Sequence, residues 1–349
     1  MRNIMFLIIS SIILIGCGND VNNPNDPAPH SDITRTGKFI AFTSDINGNH
    51  DILLAQVNNL GGLETINLVY PTNPFNITAV NLNNDKQSNW SPNGRVLVFS
   101  RTVGSQEDIY AFFFNSDGSL DSSVGVNPRL LVSSGGNWDN NPSFSPDGNH
   151  LIWDRREDNN GGGIDSSDSR DLFIGDLSDS GANLLVSNIR AIKDTQGEDE
   201  YNPKWSTRIS VRRVAYEFQS SATSSDHDVY IIDPFDPVNN TRFYEPNNSG
   251  YPAWSPSCDR IIFESDKTSG DYWKIVSLSY PVSGNPNDVV DESGVNSRFP
   301  TWLPNGGLLA YIRFSGNNGN IYMVSTSGGT GVKLLPALYD NFNNTWPAW

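Results

Sequence analysis

Apolar positions in this chain come in short runs bounded by Gly, Pro, Asn, Asp or Ser, and no sustained helical spacing joins them. VLVFS from Val96, HLIWD from His150, RIIFE from Arg260 and LLAYI from Leu308 are too short for helices. They are rich in β-branched and aromatic residues and predict buried strands. Three of these runs follow a turn of one kind, Pro92-Asn93-Gly94, Pro146-Asp147-Gly148 and Pro304-Asn305-Gly306. Proline presets φ there, Asp or Asn bonds its own backbone, and Gly accepts positive φ. Ahead of the turn stands Pro-x-aromatic or a close variant, as in NPSFSPDGNHLIW at 141–153. The unit is a β-hairpin written repeatedly.

Its anchors are Trp90, Phe144, Trp205, Trp254 and Trp302, and the partner aromatics are Phe99, Trp153, Tyr216, Phe263 and Tyr311. Four pairs keep a nine-residue offset, while Trp205 to Tyr216 is two residues longer, in the copy where SPDG has become STRIS. Constant register matters, because a one-residue slip turns a strand's buried face outward. A third strand is predicted after each hairpin, opening at Asp51, Asp108, Asp171, Asp228 and Asn320, with a looser copy at Asp271. LLVS at 130–133, LLVS at 184–187 and KLL at 333–335 suggest a fourth.

Repeats of about fifty residues, each a small sheet unable to bury both faces alone, predict an all-β fold, a six-bladed β-propeller with four-stranded blades. NNTWPAW at 343–349 is the first half of a repeat up to an anchor at Trp349, and GKFIAFTSD from Gly37 is a second half. Pairing of these N- and C-terminal strands, with Phe42 as partner of Trp349, would complete the sixth blade and close the ring. The alternative, an open solenoid of hairpins, would leave aggregation-prone edges.

Pro-x-Trp-Ser-Pro-Asp-Gly, an apolar-x-Phe strand, a Ser-Asp or Ser-Arg loop and then Asp-Ile-Tyr resembles the WD-like repeat of TolB-type six-bladed propellers. The motif recurs in the propeller domains of dipeptidyl peptidases and oligogalacturonate lyases. The resemblance covers 37–349 and implies a fold far more than a function, since turn and packing residues carry it. The separate α/β domain that precedes the propeller in TolB has no counterpart here, which argues against this chain being TolB itself.

Residues 1–17 carry one charge, Arg2, then an apolar run from Ile4 to Ile15 and Gly16-Cys17. So short a run predicts a signal peptide rather than a membrane span. Leu14-Ile15-Gly16-Cys17 resembles a bacterial lipobox, which implies diacylglycerol on Cys17; an ordinary signal peptide with an incidental cysteine is the alternative. Two or three acyl chains, at about 0.8 kcal/mol per buried CH₂, make a lasting anchor. Gly18 rather than Asp after the cysteine implies, by resemblance to enterobacterial sorting, the outer membrane, facing periplasm or cell surface. Residues 18–33, rich in Asn, Asp and Pro, predict a flexible linker, and 34–349 the propeller.

The formal charge of −16 argues against nucleic acid and against direct adhesion to anionic lipid. It leaves proteins, neutral glycans, cations and small molecules as partners of a chain expected to be monomeric. Beside Cys17 there is only Cys258, too little for a disulfide or metal cluster and read as a packed or incidental thiol. No G-x-S-x-G elbow is present, and the chain lacks the hydrolase domain that follows the propeller in dipeptidyl peptidases. Oligogalacturonate lyases hold a divalent metal with several histidines. Here His30 lies in the linker, His150 at a strand start, and His50 and His227 in equivalent loops of opposite blades. Metal-assisted lyase chemistry would therefore need carboxylates to complete its ligand set. In DINGNHD, Asp45, Asn47, Asn49 and Asp51 alternate as in an oxygen-ligand loop for calcium, but Gly48 is misplaced for an EF-hand-like turn. A turn with solvated acids is the plainer reading. The insertion at 156–171, with both acids and glycines, is expected to be a flexible lip over the ring.

Propellers bind at a mouth of the central channel. Alignment of the repeats places there the residue three before each anchor: Gln87, Asn141, Asn202, Tyr251, Phe299 and Trp346. Three polar residues would face three aromatics, with Lys86, Arg298, Asp139 and Glu200 beside them. Such an arc suits a sugar ring or a peptide aromatic, and the same side chains would equally serve packing between blades. The expectation is a lipid-anchored binding or scaffold protein of the cell envelope, recognising a protein or glycan, without a cofactor. The competing expectation is a metal-assisted, carbohydrate-active enzyme of the oligogalacturonate-lyase type.

Overall fold

The computed structural model describes residues 39–348 apart from 57–74, 79–82, 117, 126, 159–160, 166, 179–182, 196, 222–223, 225, 245–247, 267–271, 305 and 336. The expected signal peptide at 1–17 with Cys17, the expected linker at 18–33, Asp271 and the expected anchor Trp349 lie outside the described residues. Six antiparallel sheets of four strands make six blades, five of them each formed from one continuous stretch. The remaining sheet, blade one, joins both ends of the chain, with Thr345–Ala348 pairing beside Phe39–Ser44. Ala41 faces Ala348 and Thr43 faces Thr345 in that pair. Every residue of Phe39–Ser44 is buried, as a central strand requires and an exposed edge would not allow.

The innermost strands of blades two to six are Asn84–Trp90, Trp138–Phe144, Asp199–Trp205, Ser249–Trp254 and Ser297–Trp302. Each runs toward its anchor aromatic and then into the Ser-Pro-type turn. The two ends of the channel are therefore a loop face, where these strands begin, and a turn face, where the anchors lie.

The partner aromatics Phe42, Phe99, Trp153, Tyr216, Phe263 and Tyr311 are all fully buried. They enter six apolar clusters, each between two adjacent blades. One blade cannot bury both its faces alone, and the ring supplies a neighbour for each.

The longer fourth repeat keeps register, because its two extra residues are confined to the turn. Trp205 pairs with Val214, as Trp90 pairs with Leu97 and Trp302 with Leu309. Ser206 N–H donates to Arg213 O at 2.7 Å, closing the enlarged loop. Two fourth strands depart from expectation: in blade six it is Val332–Lys333 rather than 333–335, and in blade three it is Val186–Lys193 rather than 184–187. Leu184 is buried under the sheet while Leu185 is 64% exposed, so the apolar LLVS run includes the approach to the strand as well as its first residues.

Cys258 is buried and unpaired, its Sγ 3.1 Å from Thr207 Oγ1. It holds the positive-φ turn position (φ 57°) that Gly94, Gly148 and Gly306 take elsewhere.

Candidate functional site

The six residues three before the anchors share a backbone feature that alternation alone does not reveal. Gln87, Asn141, Asn202, Tyr251, Phe299 and Trp346 all have positive φ, between 47° and 56°. A register shift marks each of these places in the inner strand. Left-handed backbone is tolerable for Asn but costs on the order of 1 kcal/mol or more for large side chains. A β-bulge re-aims the side chain, and here it turns all six toward the axis. Together they wall one central cavity of about 90 Å³.

They do not form an open arc. Asn141, Asn202 and Phe299 are buried, the others half-buried. Tyr251 meets Phe299 edge-on at 4.4 Å, and Phe299 lies 5.5 Å from Trp346. The aromatic half therefore packs within itself and against the core between blades six and one. Of the two alternatives in the sequence, packing is present at the aromatic positions, while all six residues line the cavity.

Four of the bulges also free a backbone N–H for which the preceding blade supplies a side-chain acceptor. Asn141 N donates to Ser100 Oγ at 3.1 Å, Asn202 N to Asp154 Oδ1 at 2.9 Å, Tyr251 N to Glu217 Oε1 at 3.0 Å and Phe299 N to Glu264 Oε2 at 3.1 Å. The acceptors directly follow the partner aromatics, so Phe-Ser, Trp-Asp, Tyr-Glu and Phe-Glu encode one inter-blade staple. Sequence reasoning missed these acids, although aligned repeats contain the signal. Gly250 is required beside them: a Cβ there would stand 2.5 Å from Glu217 Oε2.

Three consecutive staples are carboxylates fully or almost fully buried. Burial pushes Asp154 up to about 6, against the attraction of Arg170, and its Oδ2 has no hydrogen-bond partner. Burial likewise raises Glu217 and Glu264, against hydrogen bonds from Asn202 and the charge of Arg298 respectively. Two arginines neutralise this group from the loop face. Arg298 donates to Glu264 and lies 4.6 Å from the Trp273 ring centroid and 5.8 Å from that of Tyr251. Arg170 donates to Asp199 at 2.9 Å and stacks 3.6 Å over Tyr201. Tyr201 hydrogen-bonds His227, whose imidazole burial pushes down.

The other flanking residues are arranged differently. Asp139 is fully buried and receives Trp153 Nε1 and Arg155 Nε, each at 2.7 Å. Glu200, fully buried beside Lys193, is raised to about 7 by burial. Like Lys86 and Arg298, neither is among the residues that line the cavity. His50 bonds Asn84, and His150 lies between Asp147 and Asp176. No histidines gather with other ligands: among the described residues no three His, Cys, Asp or Glu side chains are placed to hold a metal ion. In DINGNHD, Asn47 and Asn49 donate to Asp51, each at 3.0 Å, while Asp45 accepts from Asn343 N at 2.7 Å. Asn76 also donates to Asp51, at 2.7 Å. Asp51 is thus buried rather than solvated, and amides occupy its oxygens. In the 156–171 insertion, Asp158 accepts from Gly161 N and Gly163 N.

With this geometry in place, comparison with solved structures is decisive for the fold. TolB from Acinetobacter baumannii superposes with a TM-score of 0.65 at 17% identity, covering 89% of this chain and 66% of that one. This chain is a TolB-type six-bladed propeller in fold. Putative TolB from Agrobacterium tumefaciens gives 0.55 at 14% identity, over 88% of this propeller and 96% of that chain. An oligogalacturonate lyase in complex with manganese gives 0.54 at 12%, over 87% and 75%. No family model and no curated protein matches this propeller. Identities this low speak for architecture and leave function to the site.

Proposed function

We propose that this propeller is a non-enzymatic binding module of the bacterial cell envelope, tethered through lipid on Cys17 and recognising a protein or glycan at the loop face. The observation that carries the reading is the convergence of Arg298, Trp273, Tyr251, Phe299 and Trp346 beside the central cavity. Stacked arginine and aromatic rings are the groups that dominate recognition surfaces. The TolB likeness and the Leu14-Ile15-Gly16-Cys17 lipobox support the envelope location.

Site-specific photo-cross-linking in intact cells tests it. A benzophenone amino acid replacing Trp273 or Lys86 should capture a discrete partner, whereas one replacing Val332 on an outer strand should not. Equal capture from all three, or none from the first two, overturns the reading. Metal analysis of the purified protein separates it from the lyase alternative, which requires a stoichiometric divalent metal.

A further inference from the structure

A second, larger cavity of about 240 Å³ lies toward the turn face of the channel. Trp90, Phe144, Trp205, Trp254 and Trp302, the anchors of five blades, wall it, with the turn prolines beyond them. The turns touch one another: Pro256 Cγ is the nearest heavy atom, at 3.7 Å, to where a Cβ on Gly306 would stand. The anchors therefore have two roles, packing between blades on one side and lining this cavity on the other.

Lys204 is its one charged lining residue. It precedes the anchor Trp205; the corresponding residues in the other blades are Asn89, Ser143, Ala253, Thr301 and Ala348. A single long cationic side chain thus projects among short ones, and it borders both the turn-face cavity and the narrower one above it. Among the described residues no carboxylate lies within ion-pair distance of its ammonium. Asp154 on the strand of blade three and Glu217 on the neighbouring strand of blade four face it from farther off. Burial lowers Lys204 to about 8, and those two carboxylates act in the opposite sense. Trp254 Nε1 donates to the Lys204 carbonyl at 3.2 Å, fixing an indole beside the lysine's backbone.

We infer that the turn-face cavity is a binding site for a small organic monocarboxylate with a flat apolar body, its carboxylate held by Lys204 and its ring between the anchor aromatics. Lys204 is half-buried; a half-buried cation with no partner among the described residues is costly, and a carboxylate ligand satisfies it with a charge-assisted hydrogen bond. Aromatic and proline walls reward a flat apolar body rather than a polar one. A polyanion is disfavoured, because one ammonium neutralises one charge and Asp154 and Glu217 repel the rest. The site is distinct from the loop-face cluster and does not depend on the function proposed for it.

Phenylacetate and its neutral amide, phenylacetamide, are the probes, and fluorescence of the four cavity tryptophans is the signal. At pH 7 phenylacetate should quench saturably with a Kd of about 1 mM or tighter, and phenylacetamide should bind about tenfold more weakly. In Lys204→Met the preference for the acid should vanish, whereas Lys204→Arg should retain it. On the unsubstituted protein, which needs no variant to fold, phenylacetate affinity should fall as pH rises through about 8, with phenylacetamide unchanged. No saturable phenylacetate binding, equal binding of acid and amide, or a preference that survives Lys204→Met overturns the assignment.

Discussion

Replacing Asp154 with Asn should make the propeller more stable at neutral pH, although it removes a side chain that joins two blades. Asp154 is fully buried. Its Oδ1 takes Asn141 Nδ2 at 2.7 Å and Asn202 N at 2.9 Å, while Oδ2 has no partner. Burial raises the acid from 3.8 to about 6 despite the pull of Arg170 and those two hydrogen bonds. The folded chain therefore holds the proton more tightly than the unfolded chain does. The group's stabilising contribution is complete below the unfolded value of 3.8 and is lost as pH rises through about 6. At pH 7.5 the ionised carboxylate then costs on the order of 2–3 kcal/mol relative to acid conditions. Asparagine can offer its oxygen to the same two donors and carries no charge. Its amide replaces an unpaired oxygen and itself wants a partner, so the expected net gain is about 1–2 kcal/mol at pH 7.5. Arg170 keeps Asp199 as its partner. Urea unfolding at pH 7.5 and pH 4, followed by tryptophan fluorescence, measures the difference. The gain should be present at pH 7.5 and absent at pH 4. A variant less stable than the parent at pH 7.5, or a gap identical at both pH values, would refute the claim that the buried charge destabilises the fold here.

Three further outcomes follow from the same packing. Removing residues 343–349 takes away the strand that covers Phe39–Ser44; it should cost most of the roughly 5–15 kcal/mol available to a domain, and a truncated chain that melts like the parent would contradict ring closure. Gly250→Ala puts a Cβ 2.5 Å from Glu217 Oε2, displacing the acceptor of Tyr251 N–H; a loss of about 1–3 kcal/mol in urea unfolding is expected. Trp153→Ala empties a fully buried site and removes a 2.7 Å hydrogen bond to Asp139; calorimetry should show a loss of about 3–5 kcal/mol, or roughly 5–8 °C in Tm.

Residues beside the repeat motif explain where reading from sequence succeeded and where it stopped. The anchor and partner aromatics, and even the longer fourth repeat, were legible because strand burial has a fixed period and turn residues have local causes. Gln87 through Trp346 could be aligned to one level of the channel for the same reason. Their left-handed backbone could not be anticipated from Tyr251, Phe299 or Trp346, residue types that do not favour it. The packing of those three rings on one another depends on how far the bulges tilt them inward.

What the sequence by itself determined is the repeat: which side chains face a neighbouring blade, where the chain turns, and that two half-repeats complement each other. These follow from local geometry and alternation, which each segment carries in its own residues. Only the tertiary structure decided that Asp154, Glu217 and Glu264 staple one blade to the next, that Asp139 and Glu200 are fully buried, and that Lys204 is the one charged residue among the anchors that line the turn-face cavity. The physical reason is that burial and charge pairing belong to neighbours distant in the chain. A carboxylate on one blade finds its donor on the next, and the Lys204 ammonium stands without a carboxylate partner among the described residues because strands from separate blades meet around it.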